Sequence, residues 1–107
     1  MARFGSVIKL RPGAFDEYRA AHAAVWPEVL EALAKANIRN YSIYRKDDLL
    51  FAYYEHHGED HAADMQAMAA NPEVQRWWAI MDKLQEPLAT RKPGEWWAAM
   101  EELFHCD

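Results

Sequence analysis

The run from Phe15 to Leu33 constrains the fold more than any other stretch of the chain. Phe15, Val25, Val29 and Leu33 recur at helical spacing and build an aliphatic stripe suited to packing on a sheet. Beside it, Tyr18, His22 and Trp26 fall four residues apart, so one continuous helix would carry them as a second stripe that is aromatic, titratable, aromatic. Pro27 interrupts that helix. It has no N–H to offer the carbonyl of Ala23 and its ring crowds that carbonyl, so the helix is predicted to kink or restart one turn past His22. With the aliphatic stripe packed on the sheet, Tyr18 and His22 are expected at the border between core and solvent.

Strands flank this region. Between Arg3 and Leu10, Phe4, Ile8 and Leu10 face one way and Arg3 and Lys9 the other, with Val7 out of phase, and Pro12-Gly13 ends the run. Asn37 closes the helical segment, and Ile38 to Arg45 reads as a second strand with Tyr41 and Ile43 on one face and Asn40, Ser42 and Tyr44 on the other. A polar turn, Lys46-Asp47-Asp48, leads into Leu49 to Glu55, so these two runs are predicted to pair as an antiparallel hairpin. Gly58 breaks the pattern, and Glu59 to Ala70 resumes helical spacing with Ala62, Met65, Met68 and Ala69 on one side. Asn71-Pro72, an N-cap followed by proline at the first helical position, starts a fresh helix through Val74, Trp77, Trp78, Met81 and Leu84. Glu86 to Gly94 contains Pro87 and Pro93 and reads as a loop, and Met100 to His105 as a last short strand.

Strand, helix, strand, strand, broken helix, strand is the order of the split βαβ arrangement, an α+β fold with an antiparallel sheet and helices on one face. The second face would be bare. With Phe4, Tyr41, Ile43, Phe51 or Tyr53 exposed on it, a homodimer burying sheet against sheet is predicted.

At 107 residues the chain is expected to form one domain, 1–107. Twelve Lys and Arg against 17 Asp and Glu leave a formal net charge of −5 and no basic run to track phosphates, which argues against nucleic acid as a partner. Arg3, Gly5, Ser6 and Lys9 break any signal-peptide core, and no apolar run approaches the length that crosses a bilayer, so a soluble cytoplasmic protein with no membrane partner is predicted. Cys106 is the only cysteine, which leaves no intrachain disulfide, thiol-rich zinc site or dithiol redox centre. Five Trp and five Tyr suit both interfaces and ligand pockets.

His22 is the sharpest candidate for chemistry, because histidine both gives and takes a proton near neutrality. A packed, hydrogen-bonded helix histidine with no chemical role fits the same spacing, and Tyr18 one turn earlier is either a ligand contact or core filling. Trp77 and Trp78 are adjacent on a helix and point about 100° apart, so both cannot centre one apolar stripe. One is expected to flank a pocket, where an indole suits the C–H face and hydroxyls of a sugar ring, or else to sit in an interface. Trp96-Trp97 is read as a dimer or loop anchor. His56, His57 and His61 tempt a metal reading, but Gly58 separates the last two from a common helix, and no metal site is expected.

Taken together, Glu17-Tyr18 with His22, Trp26-Pro27-Glu28, Asn40-Tyr41-Ser42-Ile43-Tyr44, Leu49-Leu50-Phe51-Ala52 with Glu55, Gln75-Arg76-Trp77-Trp78 and Glu102-Leu103-Phe104-His105 resemble the L-rhamnose mutarotase family. They span nearly the whole chain in order. The resemblance implies a ferredoxin-like fold of the dimeric α+β barrel type, a cytoplasmic homodimer, and interconversion of the α and β anomers of a 6-deoxy hexose without a cofactor. It also implies His22 as the proton donor, and Tyr18, Tyr41, Trp77 and Trp78 as the residues contacting the monosaccharide.

That chemistry is one a near-neutral acid/base can perform. A proton reaches the ring oxygen while the anomeric hydroxyl loses one, the aldehyde rotates about one bond, and the ring recloses on the other face. The partner of His22 is water, Tyr18 or a second polar residue; spacing does not choose. Three other readings stand beside this one: a mutarotase for L-fucose or another 6-deoxy sugar, a cofactor-independent monooxygenase of the same architecture, and a sugar-binding module without catalysis. Oxygen uptake with an electron-rich phenol would mark the monooxygenase, and binding without accelerated anomer exchange would mark the module.

Overall fold

The computed structural model describes all residues, 1–107. Its elements are β1 (Ala2–Leu10), α1 (Phe15–His22), α2 (Pro27–Lys35), β2 (Ile38–Lys46), β3 (Leu49–His56), α3 (His61–Ala69), α4 (Pro72–Asp82), β4 (Gln85–Glu86) and β5 (Ala98–Met100). The sheet runs β2-β3-β1-β4, every pairing antiparallel, and β5 joins the same edge of β1 as β4. This is the α+β, ferredoxin-like order predicted from the sequence.

Local signals end the elements where they were expected to. Pro27 stands at the first position of α2, after α1 has stopped at His22, and Pro72 does the same for α4 behind Asn71, whose side chain accepts from the Glu73 N–H at 2.9 Å. Asp60 caps α3 by accepting from the Ala63 N–H at 3.0 Å. The β2–β3 hairpin forms over Asp47-Asp48, with Asp47 at φ 53°, a left-handed conformation that a short Asp side chain tolerates without glycine.

Between Arg39 and Ser42 the β2–β3 register shifts, with Asn40 at φ 52°. The extra residue of this bulge changes the phase of the strand. Ile38 and Ile43, an odd number of residues apart, can therefore both face the helices: Ile38 is buried and Ile43 packs against the core. That core joins Ile8, Leu10 and Leu50 from the sheet to Tyr18, Val29, Trp77 and Met81 from α1, α2 and α4. Burial of each such side chain contributes roughly 1.5–3 kcal/mol.

Three expectations are corrected. The bare sheet face does not hold Phe4, Tyr41 or Ile43: Phe4 stacks on Tyr54 and on His61 of α3, and Tyr41 leans on Tyr54, all under the helices. The open face carries the cross-strand row Val7, Phe51 and Tyr44, followed by Tyr53 and Met100, which also explains why Val7 broke the alternation. The second correction is at the end of α4, which stops at Asp82 so that Gln85–Glu86 can pair with Lys9–Leu10. Finally, the last strand lies at Ala98–Met100 rather than Met100–His105. Residues 101–107 continue without a strand partner, pinned by the Arg3–Glu102 ion pair at 2.9 Å, with Leu103 87% and Phe104 72% exposed.

Candidate active site

Between the covered sheet face and the four helices lies an open cavity of about 1160 Å³, with 24 of its 31 lining residues hydrophobic. Tyr18, His22, Tyr41, Trp77 and Trp78 all line it. The five sequence-selected residues therefore share one space, although they come from α1, β2 and α4.

The end of α1 builds its centre. Tyr18 and His22 stack at 4.2 Å between centroids, and His22 meets Trp77 edge-on at 5.5 Å. Nδ1 of His22 lies 3.0 Å from the carbonyl oxygen of Tyr18. A carbonyl only accepts, so Nδ1 carries a proton and Nε2 is the nitrogen left for proton exchange. Trp26 does not continue the stripe beside His22. As the N-cap of α2 it turns away and packs edge-on against Trp77 at 5.2 Å, supporting that indole from behind. The divergence expected of the tryptophan pair is observed: Trp77 is 7% exposed and Trp78 39%.

The polar groups of the lining are few. Burial pushes the phenols of Tyr18 and Tyr54 up, the effect on Tyr18 being partly offset by a hydrogen bond from Gln85. Tyr41 is partly exposed over the whole residue, yet its hydroxyl end is desolvated. With the Tyr18 and Tyr54 phenols beside it as well, its pKa is pushed up to about 12. All three phenols are neutral hydrogen-bonding groups at physiological pH. Asp82, at the end of α4, is the one carboxylate on the lining, and desolvation raises its pKa.

Asp82 was not singled out as a site residue by sequence reasoning, and neither were two further lining residues. Trp96, read as an anchor, lies against the cavity and donates its indole N–H to Oε1 of Gln85 at 2.9 Å. Gln85, 3% exposed, donates from Nε2 to the Tyr18 hydroxyl at 3.3 Å. Nothing local marks either residue, because both depend on the pairing of β4 and β5 with β1.

The three neighbouring histidines go separate ways. His56 is buried against Asp64 (2.7 Å), His57 meets Glu55 (2.9 Å), and His61 meets the hydroxyl of Tyr54 (2.8 Å). No three His, Cys, Asp or Glu side chains converge where a metal ion would be held.

The profile of the L-rhamnose mutarotase family matches residues 3–106. An L-rhamnose mutarotase of Phocaeicola vulgatus is 38% identical to this chain with both chains covered completely, and one of Sinorhizobium fredii is 36% identical over 98% of each. The chain belongs to the L-rhamnose mutarotase family. Membership makes it a carbohydrate isomerase of the mutarotase class. The crystal structure of the L-rhamnose mutarotase of Formosa agariphila, 25% identical, superposes over the whole of both chains with a TM-score of 0.79. A second solved structure, the tetracenomycin F2 cyclase of Streptomyces glaucescens, covers 100% of this chain and 98% of its own at TM-score 0.75. At 17% identity it shares the fold alone.

No helix is long and apolar enough to cross a membrane.

Proposed function

We propose that this chain exchanges the α and β anomers of L-rhamnose, with His22 as the proton-transfer group. The observation that carries the reading is the 3.0 Å contact of His22 Nδ1 with the Tyr18 carbonyl, which leaves Nε2 for the sugar. Protonated Nε2 gives its proton to the ring oxygen as the C1–O bond breaks, while the anomeric hydroxyl loses its proton to a base. Asp82 is the candidate for that base, directly or through water. Rotation of the open aldehyde and the reverse transfers close the ring on the other face, so the enzyme ends as it began.

Tyr18, Tyr41, Trp77 and Trp78 bind the sugar in this reading. The indoles cover its C–H surface, the neutral phenols meet its hydroxyls, and Ile43, Met65 and Met68 offer apolar surface to the methyl of a 6-deoxy hexose. The chain is further proposed to work as a cytoplasmic homodimer, joined through the open sheet face with Val7, Phe51, Tyr44 and Tyr53. Purified protein added to L-rhamnose should accelerate anomer exchange, followed by saturation-transfer NMR, well above the spontaneous rate. Binding without acceleration would contradict the assignment.

A further inference from the structure

We propose that Gln85 and Trp96 are positioning residues that commit the Tyr18 hydroxyl to donate its proton into the cavity, toward an acceptor oxygen of the bound sugar. The direction follows from which groups can only donate. An indole N–H has no acceptor capacity, so the Gln85 atom 2.9 Å from Trp96 Nε1 is the amide oxygen. That fixes the amide, and its NH2 group faces the Tyr18 hydroxyl at 3.3 Å. An amide NH2 also only donates, so the phenol oxygen accepts. The single phenolic proton is left for another partner, and Tyr18 lines the cavity.

The tether is built into the sheet. Gln85 is held opposite Leu10 in β4, and Trp96 precedes β5, which pairs with Gly5–Val7 on the same edge of β1. Gln85 is 3% exposed, so water does not compete for its amide, and no buried side-chain polar atom lacks a partner. Trp96, 38% exposed, sits where the cavity meets solvent. The inference rests on the proposed sugar site and adds the polarity of one contact: the sugar oxygen at Tyr18 receives a hydrogen bond. Tyr18 is then a donor to the sugar and not the base opposing His22.

Gln85→Glu tests this, since it keeps the size of the side chain and reverses its hydrogen-bonding sense. The introduced carboxylate accepts from Trp96 and from Tyr18 alike and turns the phenolic proton out of the cavity. Exchange efficiency for L-rhamnose should fall about tenfold at neutral pH and recover as acid protonates the carboxyl. In a Tyr18→Phe background the same change should have little further effect. A packing role alone would give equal losses in both backgrounds and no recovery. Trp96→Phe, which removes the indole N–H and keeps an aromatic ring, is the second variant should Gln85→Glu fold poorly, and its severalfold loss should likewise disappear without the Tyr18 hydroxyl.

A readout independent of sugar is the ultraviolet titration of tyrosinate, with Tyr18→Phe identifying the Tyr18 step. Gln85→Glu should move that step to higher pH, because a donated hydrogen bond favouring the phenolate is replaced by a carboxylate opposing it. An unmoved step, or exchange within about twofold of wild type at neutral pH, would overturn the tether. Absence of exchange in the wild-type protein would instead overturn the proposed function, and the titration would still decide the direction of the hydrogen bond.

Discussion

The imidazole of His22 is held twice by Tyr18, by ring stacking at 4.2 Å and by the 3.0 Å contact from Nδ1 to the Tyr18 carbonyl. The second contact uses the backbone and survives loss of the phenol. Chemistry and positioning are therefore separable by mutation.

His22→Ala should lower anomer exchange by about a hundredfold or more, the usual contribution of a positioned acid/base. Its half-buried position on the wall of the cavity lets the fold persist. Saturation-transfer NMR alongside circular dichroism checks both halves, and near-wild-type exchange in a folded variant would remove His22 from the mechanism.

Tyr18→Phe should reduce exchange less than His22→Ala. It also strands a buried donor of Gln85, so it should cost roughly 1–3 kcal/mol of stability, read from a urea midpoint. Unchanged stability would mean that the Gln85 bond contributes little.

L-mannose differs from L-rhamnose by a hydroxyl on the methyl carbon. Against a lining dominated by hydrophobic side chains, that hydroxyl loses water at a cost of roughly 1–3 kcal/mol, or about ten- to a hundredfold in efficiency. Rates below saturation, with the spontaneous exchange subtracted, make the comparison. Equal rates would sink the apolar methyl pocket and leave His22 untouched, whereas a clear preference for L-fucose would change the named sugar.

Gly58 closes the loop ahead of α3 at a point with no room for a side chain. A Cβ there would lie 2.6 Å from Oδ2 of Asp64 and 2.8 Å from both Nδ2 of Asn37 and Nε2 of His56. Gly58→Ala should destabilise the protein by about 1–3 kcal/mol through this overpacking. A thermal melt equal to that of wild type would show that the loop gives way freely.

Acid should weaken the fold through Glu55. Hydrogen bonds from His57, then Asn40 and Tyr53, hold its carboxyl at about 2 against an ordinary 4.5. A depressed carboxyl stabilises the folded state above its unfolded pKa and loses that contribution as pH falls through the folded one. Its share of stability should therefore be constant above about pH 4.5 and fade toward pH 2. Urea midpoints of wild type and Glu55→Gln at neutral pH and near pH 2.5 test this, and the variant should show the smaller loss.

The homodimer rests on the open sheet face. Sedimentation should give a dimer at micromolar concentration, and Phe51→Asp, in the middle of the Val7, Phe51, Tyr44 row, should shift it toward monomer. A wild-type monomer would contradict the interface.

What the sequence determined by itself was local in origin. Pro27 and Pro72 break and restart helices through a missing N–H, Asn71 caps through its own side chain, and a short polar turn, Lys46-Asp47-Asp48 in the sequence, joins the runs of β2 and β3. These causes act within a few residues, so they can be read without the fold. The same holds for Tyr18 and His22, one helical turn apart, and for the divergence of Trp77 from Trp78.

Tertiary structure decided what depends on partners distant in the chain. Two residues, Gln85–Glu86, are too few to show an alternation, and they become a strand only because β1 offers a free edge. The bulge at Asn40 puts Ile38 and Ile43 on one face, which strict alternation forbids, because burying both against the helices outweighs the regular ladder. Trp96 reaches the cavity for the same kind of reason: the pairing of β5 with Gly5–Val7 brings it to Gln85, and Gln85 to Tyr18, 67 residues away in sequence.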